Sequence, residues 1–141
     1  MHLSRRSLTL TVHGTSRTAD VSNCRIVSGA IPATERRLCG PTRQYRLQGT
    51  AAQDPGKDSF WDLVWSNADE HVDIALRPAG GEVPTDEQPW FIGTVLIGEA
   101  DGDLLGGEAD AAPGARFVFG FDWAFTAKPT RVTDPQDEAL L

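Results

Sequence analysis

The chain has 141 residues, 40% of them apolar with four Trp and six Phe, which fits one folded domain and excludes a globally disordered segment. Its 14 Gly and nine Pro suit many strands joined by tight turns, and no apolar run approaches the roughly 20 residues of a membrane-spanning helix. The formal net charge of −7 is unevenly divided: residues 1–46 hold eight Arg against Asp20 and Glu35, a balance of +6, whereas residues 47–141 hold five basic against eighteen acidic side chains, a balance of −13.

In chain order, Ser7 to Val12 sets Leu8, Leu10 and Val12 against Thr9 and Thr11, the period-two pattern of a half-buried strand, and turns at His13-Gly14. The opening MHLSRRSLTLTV alternates where a signal peptide carries a continuous apolar block, so a soluble protein made and kept in a cytoplasm is expected. Cys24 and Ile26 mark a second short strand. Ser28 to Pro41 then reads as an irregular arm containing Arg36-Arg37; stretches of that length are usually functional, and this one is expected to reach a neighbouring subunit. Cys24 and Cys39 are the only cysteines, too few for a disulfide scaffold and outside any CxxC pair, so two quiet thiols are expected.

The organising stretch is Tyr45 to Pro78. Tyr45 and Leu47 alternate with Arg46 and Gln48 in a strand that small residues extend to Gln53, and Asp54-Pro55-Gly56 ends it. Ser59 followed by Asp62 predicts a capping box and a short helix over about 59–66. Phe60, Leu63 and Val64 recur at helical spacing, Trp61 and Trp65 widen the apolar stripe, and Asn67 is the expected left-handed stop. So short a helix needs a sheet beneath it. Val72, Ile74 and Leu76 then alternate in a further strand ending at Pro78.

Ala79 to Pro89 is a loop by composition. Trp90 to Ile97 reads as a strand apolar on both faces and therefore covered on both. Glu99 to Gly114 is an acidic, glycine-rich loop. Phe117, Phe119, Phe121, Trp123 and Phe125 occupy alternate positions and predict a continuous aromatic wall that the helix or a facing sheet covers. Pro129 to Leu141, with its two prolines and charges, predicts an extended tail. The expectation is one mainly β domain over 1–131, including the N-terminal strand and the arm at 28–41, followed by a tail at 132–141. Its aromatic core comprises Phe60, Trp61, Trp65, Phe117, Phe119, Phe121, Trp123 and Phe125.

Catalytic chemistry needs residue sets that the sequence does not supply. His2, His13 and His71 are isolated, without the spacing of zinc ligands, and there is no GxSxG, GxxxxGK or GxGxxG. Glu99, Asp101 and Asp103, with Glu108 and Asp110, could offer oxygen ligands to Ca²⁺, but they lack the third ligand, Gly and Glu of an EF-hand. Asp62 is explained as a cap and Asp54 as a turn former rather than as glycosidase carboxylates. A non-enzymatic protein without cofactor or metal is expected. Nucleic-acid binding is disfavoured because the aromatics lie in the acidic portion, apart from the arginines.

The order of features resembles the tail tube, or major tail, proteins of long-tailed bacteriophages over about residues 43–131. The matching parts are Tyr45-Arg46-Leu47-Gln48-Gly49-Thr50 running into Gln53-Asp54, a helix with Phe60-Trp61-x-x-x-Trp65, and a strand closing on Arg77-Pro78. Then come Pro89-x-Phe91-x-Gly93-x-Val95-x-Ile97, an acidic Gly106-Gly107 loop, and a last strand leading to Lys128-Pro129-Thr130. After the helix this chain has Asn-Ala-Asp-Glu where the family pattern has glycine.

The resemblance implies a β-sandwich or barrel-like fold with one flanking helix, in copies that form hexameric rings stacked head-to-tail into a tube. Such a protein belongs to the virion tail, is assembled in the host bacterial cytoplasm, meets other tail proteins at the tube ends, and passes DNA through its lumen without specific binding. A filament needs two unlike complementary surfaces on each protomer, and the +6 and −13 portions are candidates. The expected pairing sets Arg5, Arg6, Arg36 and Arg37 against Asp101, Asp103, Glu108 and Asp110 of a neighbour. A capsid decoration or tail-completion protein and a carbohydrate-binding β-sandwich are the alternatives.

Overall fold

The alternating segments pair into one eight-stranded antiparallel sheet in the computed structural model, which describes residues 9–35, 38, 40–78, 83–99, 102–107 and 117–134. The strands are β1 (Thr9–Val12), β2 (Thr15–Ser16), β3 (Val21–Ala30), β4 (Arg43–Ala52), β5 (His71–Arg77), β6 (Trp90–Leu96), β7 (Val118–Phe125) and β8 (Thr130–Val132), and the one α-helix is α1 (Phe60–Asn67). Their spatial order is β2-β1-β5-β6-β7-β4-β3. The same edge of β6 is shared: β8 pairs with Trp90–Ile92 and β7 with Val95 and Leu96.

Connection lengths show that this sheet is rolled. β2 and β3 stand at opposite ends of the strand order, yet only residues 17–20 join them. Five Cα steps reach at most about 18 Å, whereas seven strands laid flat would part their outer members by roughly 29 Å. The sheet must curl until its two edges approach, which gives the barrel-like form. Inward-facing Leu10, Val12, Cys24, Leu47, Ala51, Ile74, Leu76, Val95 and the β7 aromatics accordingly belong to one hydrophobic cluster with α1.

Helix α1 closes one end of this barrel. Ser59 caps it, its hydroxyl oxygen accepting from the Asp62 amide at 3.0 Å, while Asp62 Oδ2 accepts from the Asp58 amide at 3.1 Å. Asp20 adds a carboxylate on the Phe60 amide, 3.2 Å away, satisfying another of the first-turn donors. Asn67 ends the helix differently from expectation: it stays helical, its side-chain amide donates to the Leu63 carbonyl, and the left-handed residue is Asp69, with φ 69°.

Two of the expected core aromatics are not in the core. Phe60, Trp61 and Val64 are buried, but Trp65 is 57% exposed. At about 100° per residue Trp65 lies well off the Phe60/Val64 direction, and Trp61 already fills that flank, so Trp65 stacks on its outer face at 5.2 Å. Phe117 precedes β7 and is 46% exposed, packed against Gly107 rather than α1. The aromatic wall therefore begins at Phe119 and runs through Phe121, Trp123 and Phe125, all buried.

Three other boundaries shift. Ser28, Gly29 and Ala30 are paired with Tyr45, Gln44 and Arg43, so the first residues of the expected arm continue a hairpin, and a 3-10 turn follows at Ala33–Glu35. Thr130–Val132 join the sheet as β8 instead of beginning a tail. β6 is covered on its outer face only at the Trp90 end, where the Arg77 guanidinium lies 4.1 Å above the indole and Val132 is the cross-strand neighbour; Leu96, at the other end, is exposed.

Candidate assembly surfaces

Strand register sorts the surface residues onto two ends of the barrel. The α1 end is the one toward which β4 and β6 run and from which the antiparallel β5 and β7 set out. It carries Asp54, Asp58, Asp62, Asp69, Glu70, Glu99 and Asp103, facing Lys57 and Arg17, whose guanidinium donates to the Asp58 carbonyl at 2.6 Å. These are seven of the twelve acidic side chains of residues 47–141 that lie among the described residues.

At this end the acidic loop is held at two neighbouring points. Gln53 Oε1 accepts from the Gly106 amide at 2.5 Å, and its Nε2 lies 2.9 Å from the carbonyl oxygens of both Gly106 and Val118. Trp61 Nε1 donates to the Leu104 carbonyl at 2.8 Å. Leu105 lies between those two anchors and is 63% exposed. Asp103, the one member of the expected acidic set among the described residues, is exposed beside it. Arg5, Arg6, Arg36, Arg37, Asp101, Glu108 and Asp110 lie outside the described residues.

Among the described residues no α-helix lies over the opposite mouth of the barrel. A groove of about 380 Å³ opens there between β3, β4, β5 and β6, its floor made by Ile26, Tyr45, Leu76 and Phe91. The charged residues lining it, Arg25 and Lys128, are both cationic and both exposed. Asp86 and Glu87, in the loop entering β6, are not among its lining residues. Periodicity could not have located this groove, because it takes residues from four strands and the turn after β7.

Between the two ends, Arg46 of β4 pairs with Asp122 of β7 across the outer face, Nε to Oδ1 2.5 Å. The pair is partly exposed and contributes about 0–1 kcal/mol. Cys24 is a free thiol buried in the core, and that burial pushes its pKa up to about 12. It stays protonated and unreactive at neutral pH. Among the described residues no three His, Cys, Asp or Glu side chains come together as a metal site would require, and no helix is long and apolar enough to cross a membrane.

The chain matches no protein-family model, and no curated protein matches it in sequence.

Proposed function

We propose that this chain is the repeating protomer of a bacteriophage tail tube, self-associating into stacked rings, hexameric by the resemblance, around a lumen through which DNA is ejected. The observation that carries the reading is β3. This ten-residue strand has a strand neighbour on one side only among the described residues, and its sequence, VSNCRIVSGA, holds neither Pro nor Lys. Natural proteins blunt long edges with charged residues, Pro or bulges unless the edge has a partner, and in β3 the exposed Arg25 and the irregularity between Ser22 and Arg25 are the features that interrupt it. Lateral pairing of β3 with the next copy would build a ring; the two unlike barrel ends would stack one ring on another. An acidic tube wall repels phosphate and lets DNA slide, and the net charge of −7 suits that role.

Negative-stain electron microscopy of the protein expressed alone tests this reading. Rings and stacked hollow tubes are expected. Closed rings or trimers that never stack would instead identify a capsid decoration or tail-completion protein.

One observation favours a second reading. The exposed indole of Trp65, stacked on Trp61 with planes 11° apart, is a flat apolar platform of the kind that packs against a sugar ring. Saturable quenching of tryptophan fluorescence by an oligosaccharide, abolished by Trp65→Ser, would establish a carbohydrate-binding module; no response leaves assembly as the function.

A further inference from the structure

The residues flanking Leu105 are both tied down, Leu104 through its carbonyl to Trp61 and Gly106 through its amide and carbonyl to Gln53. A leucine anchored on both sides and still 63% exposed is held out to solvent by the fold. Such preorganisation lowers the ordering cost of docking. Around it the surface is acidic, with Asp103 two residues before it and Glu99 at the start of the same loop.

Tyr45 lines the groove and Gln53 holds the loop, eight residues apart along β4 and the chain just beyond it. At about 3.3 Å per residue the two features are roughly 26 Å apart, at opposite ends of the barrel, so the knob of one molecule cannot enter its own groove. A second copy placed end to end meets no such barrier. Its groove offers an apolar floor of Ile26, Leu76 and Phe91, and its charged lining residues, Arg25 and Lys128, are opposite in sign to Asp103 and Glu99.

We propose that Leu105 of one copy inserts into the Ile26/Tyr45/Leu76/Phe91 groove of the next, with Asp103 and Glu99 meeting Arg25 and Lys128. The contact is head-to-tail: each molecule carries one knob and one groove, and the chain of contacts has no built-in stop. It rests on the tube reading and supplies the axial contact of that tube. It also replaces the arginine partners expected from sequence with Arg25 and Lys128.

Two full-length variants test the contact, Leu105→Asp, which removes the knob, and Arg25→Glu/Lys128→Glu, which reverses the charge at the groove. All three positions are exposed, so thermal unfolding should match the wild type. Each variant alone should need at least about tenfold more protein to stack, the effect of losing an interface anchor. Mixed after purification, they should give a species of twice the unstacked unit's mass, because one brings the intact knob and the other the intact groove. Variants that stack as well as the wild type would overturn this contact and leave the tube reading standing. Variants that fail to stack but do not complement each other would overturn the head-to-tail pairing. A wild type that never associates would overturn both.

Discussion

The ring of Phe60 lies stacked on the indole of Trp123, centroids 5.3 Å apart and planes 13° from parallel, and the same ring meets Phe121 at 5.0 Å. This contact joins α1 to β7 and fixes how the helix closes the barrel. Phe60→Ala should therefore cost about 3–5 kcal/mol, the usual loss for a large aromatic truncated in a core. Trp65→Ala, one helical turn further on but outside the core, should cost about 0.5–1.5 kcal/mol, the size of its stacking contact. Urea unfolding of the two variants would check the contrast, and equal losses would contradict the assignment of Trp65 to the surface.

Gly49 is required by a ring. A Cβ built there would stand 2.6 Å from Phe121 Cζ and 3.2 Å from the Cys24 Cα, so Gly49→Ala must displace part of the aromatic wall. A loss of about 1–3 kcal/mol is expected, as for other overpacked cores. Gly29 in β3 has nothing within 4 Å, and Gly29→Ala should leave stability within about 0.5 kcal/mol of the wild type. Thermal unfolding of both variants separates the steric account from a general glycine effect in strands.

Gln53 should control the acidic loop. Gln53→Ala removes the acceptor of the Gly106 amide and the donor shared between the Gly106 and Val118 carbonyls. Hydrogen exchange over residues 102–107 should then accelerate about tenfold, the consequence of losing bonds worth roughly 1–1.5 kcal/mol, while exchange in β5 stays unchanged. Uniform acceleration through the domain would mean that Gln53 supports the core rather than the loop.

The thiol of Cys24 sets an alkaline limit. Its folded-state pKa is raised by burial from the ordinary 9.0 to about 12, so the fold favours the protonated form. The associated stability is complete below pH 9.0 and is lost as pH rises towards about 12. Cys24→Ala should make the unfolding free energy flatter across that window than in the wild type, although its value at pH 7 falls through lost packing. Parallel slopes for the two proteins would rule out this origin of alkaline sensitivity.

Much of the sheet was legible because burial on one face writes itself as alternation. Leu10 and Val12, Tyr45 and Leu47, and Phe119 to Phe125 each announced a strand, and Ser59 with Asp62 placed the helix start within one residue. β8 escaped because three residues after Pro129 carry no period; only the free edge of β6 makes Thr130–Val132 a strand. Ser28-Gly29-Ala30 likewise has weak strand propensity and owes its conformation to pairing with β4. A run of apolar residues does not say where the stripe ends, and for that reason periodicity puts Trp65 in the core. The knob and groove were invisible for a different reason: Leu105 is defined by hydrogen bonds from Gln53 and Trp61, and the groove by residues that the chain brings together from Arg25 to Pro129. The −13 balance of residues 47–141 was legible, but not that seven of its acidic side chains share the α1 end.

As a tube protomer, the protein should associate without a built-in limit. Sedimentation velocity of the wild-type chain over a hundredfold range of concentration addresses it directly. The sedimentation coefficient should keep rising as copies add end to end, and should fall back when Leu105 is replaced by Asp. A single boundary at the 15.2 kDa of one chain, unchanged over the whole range, would contradict it.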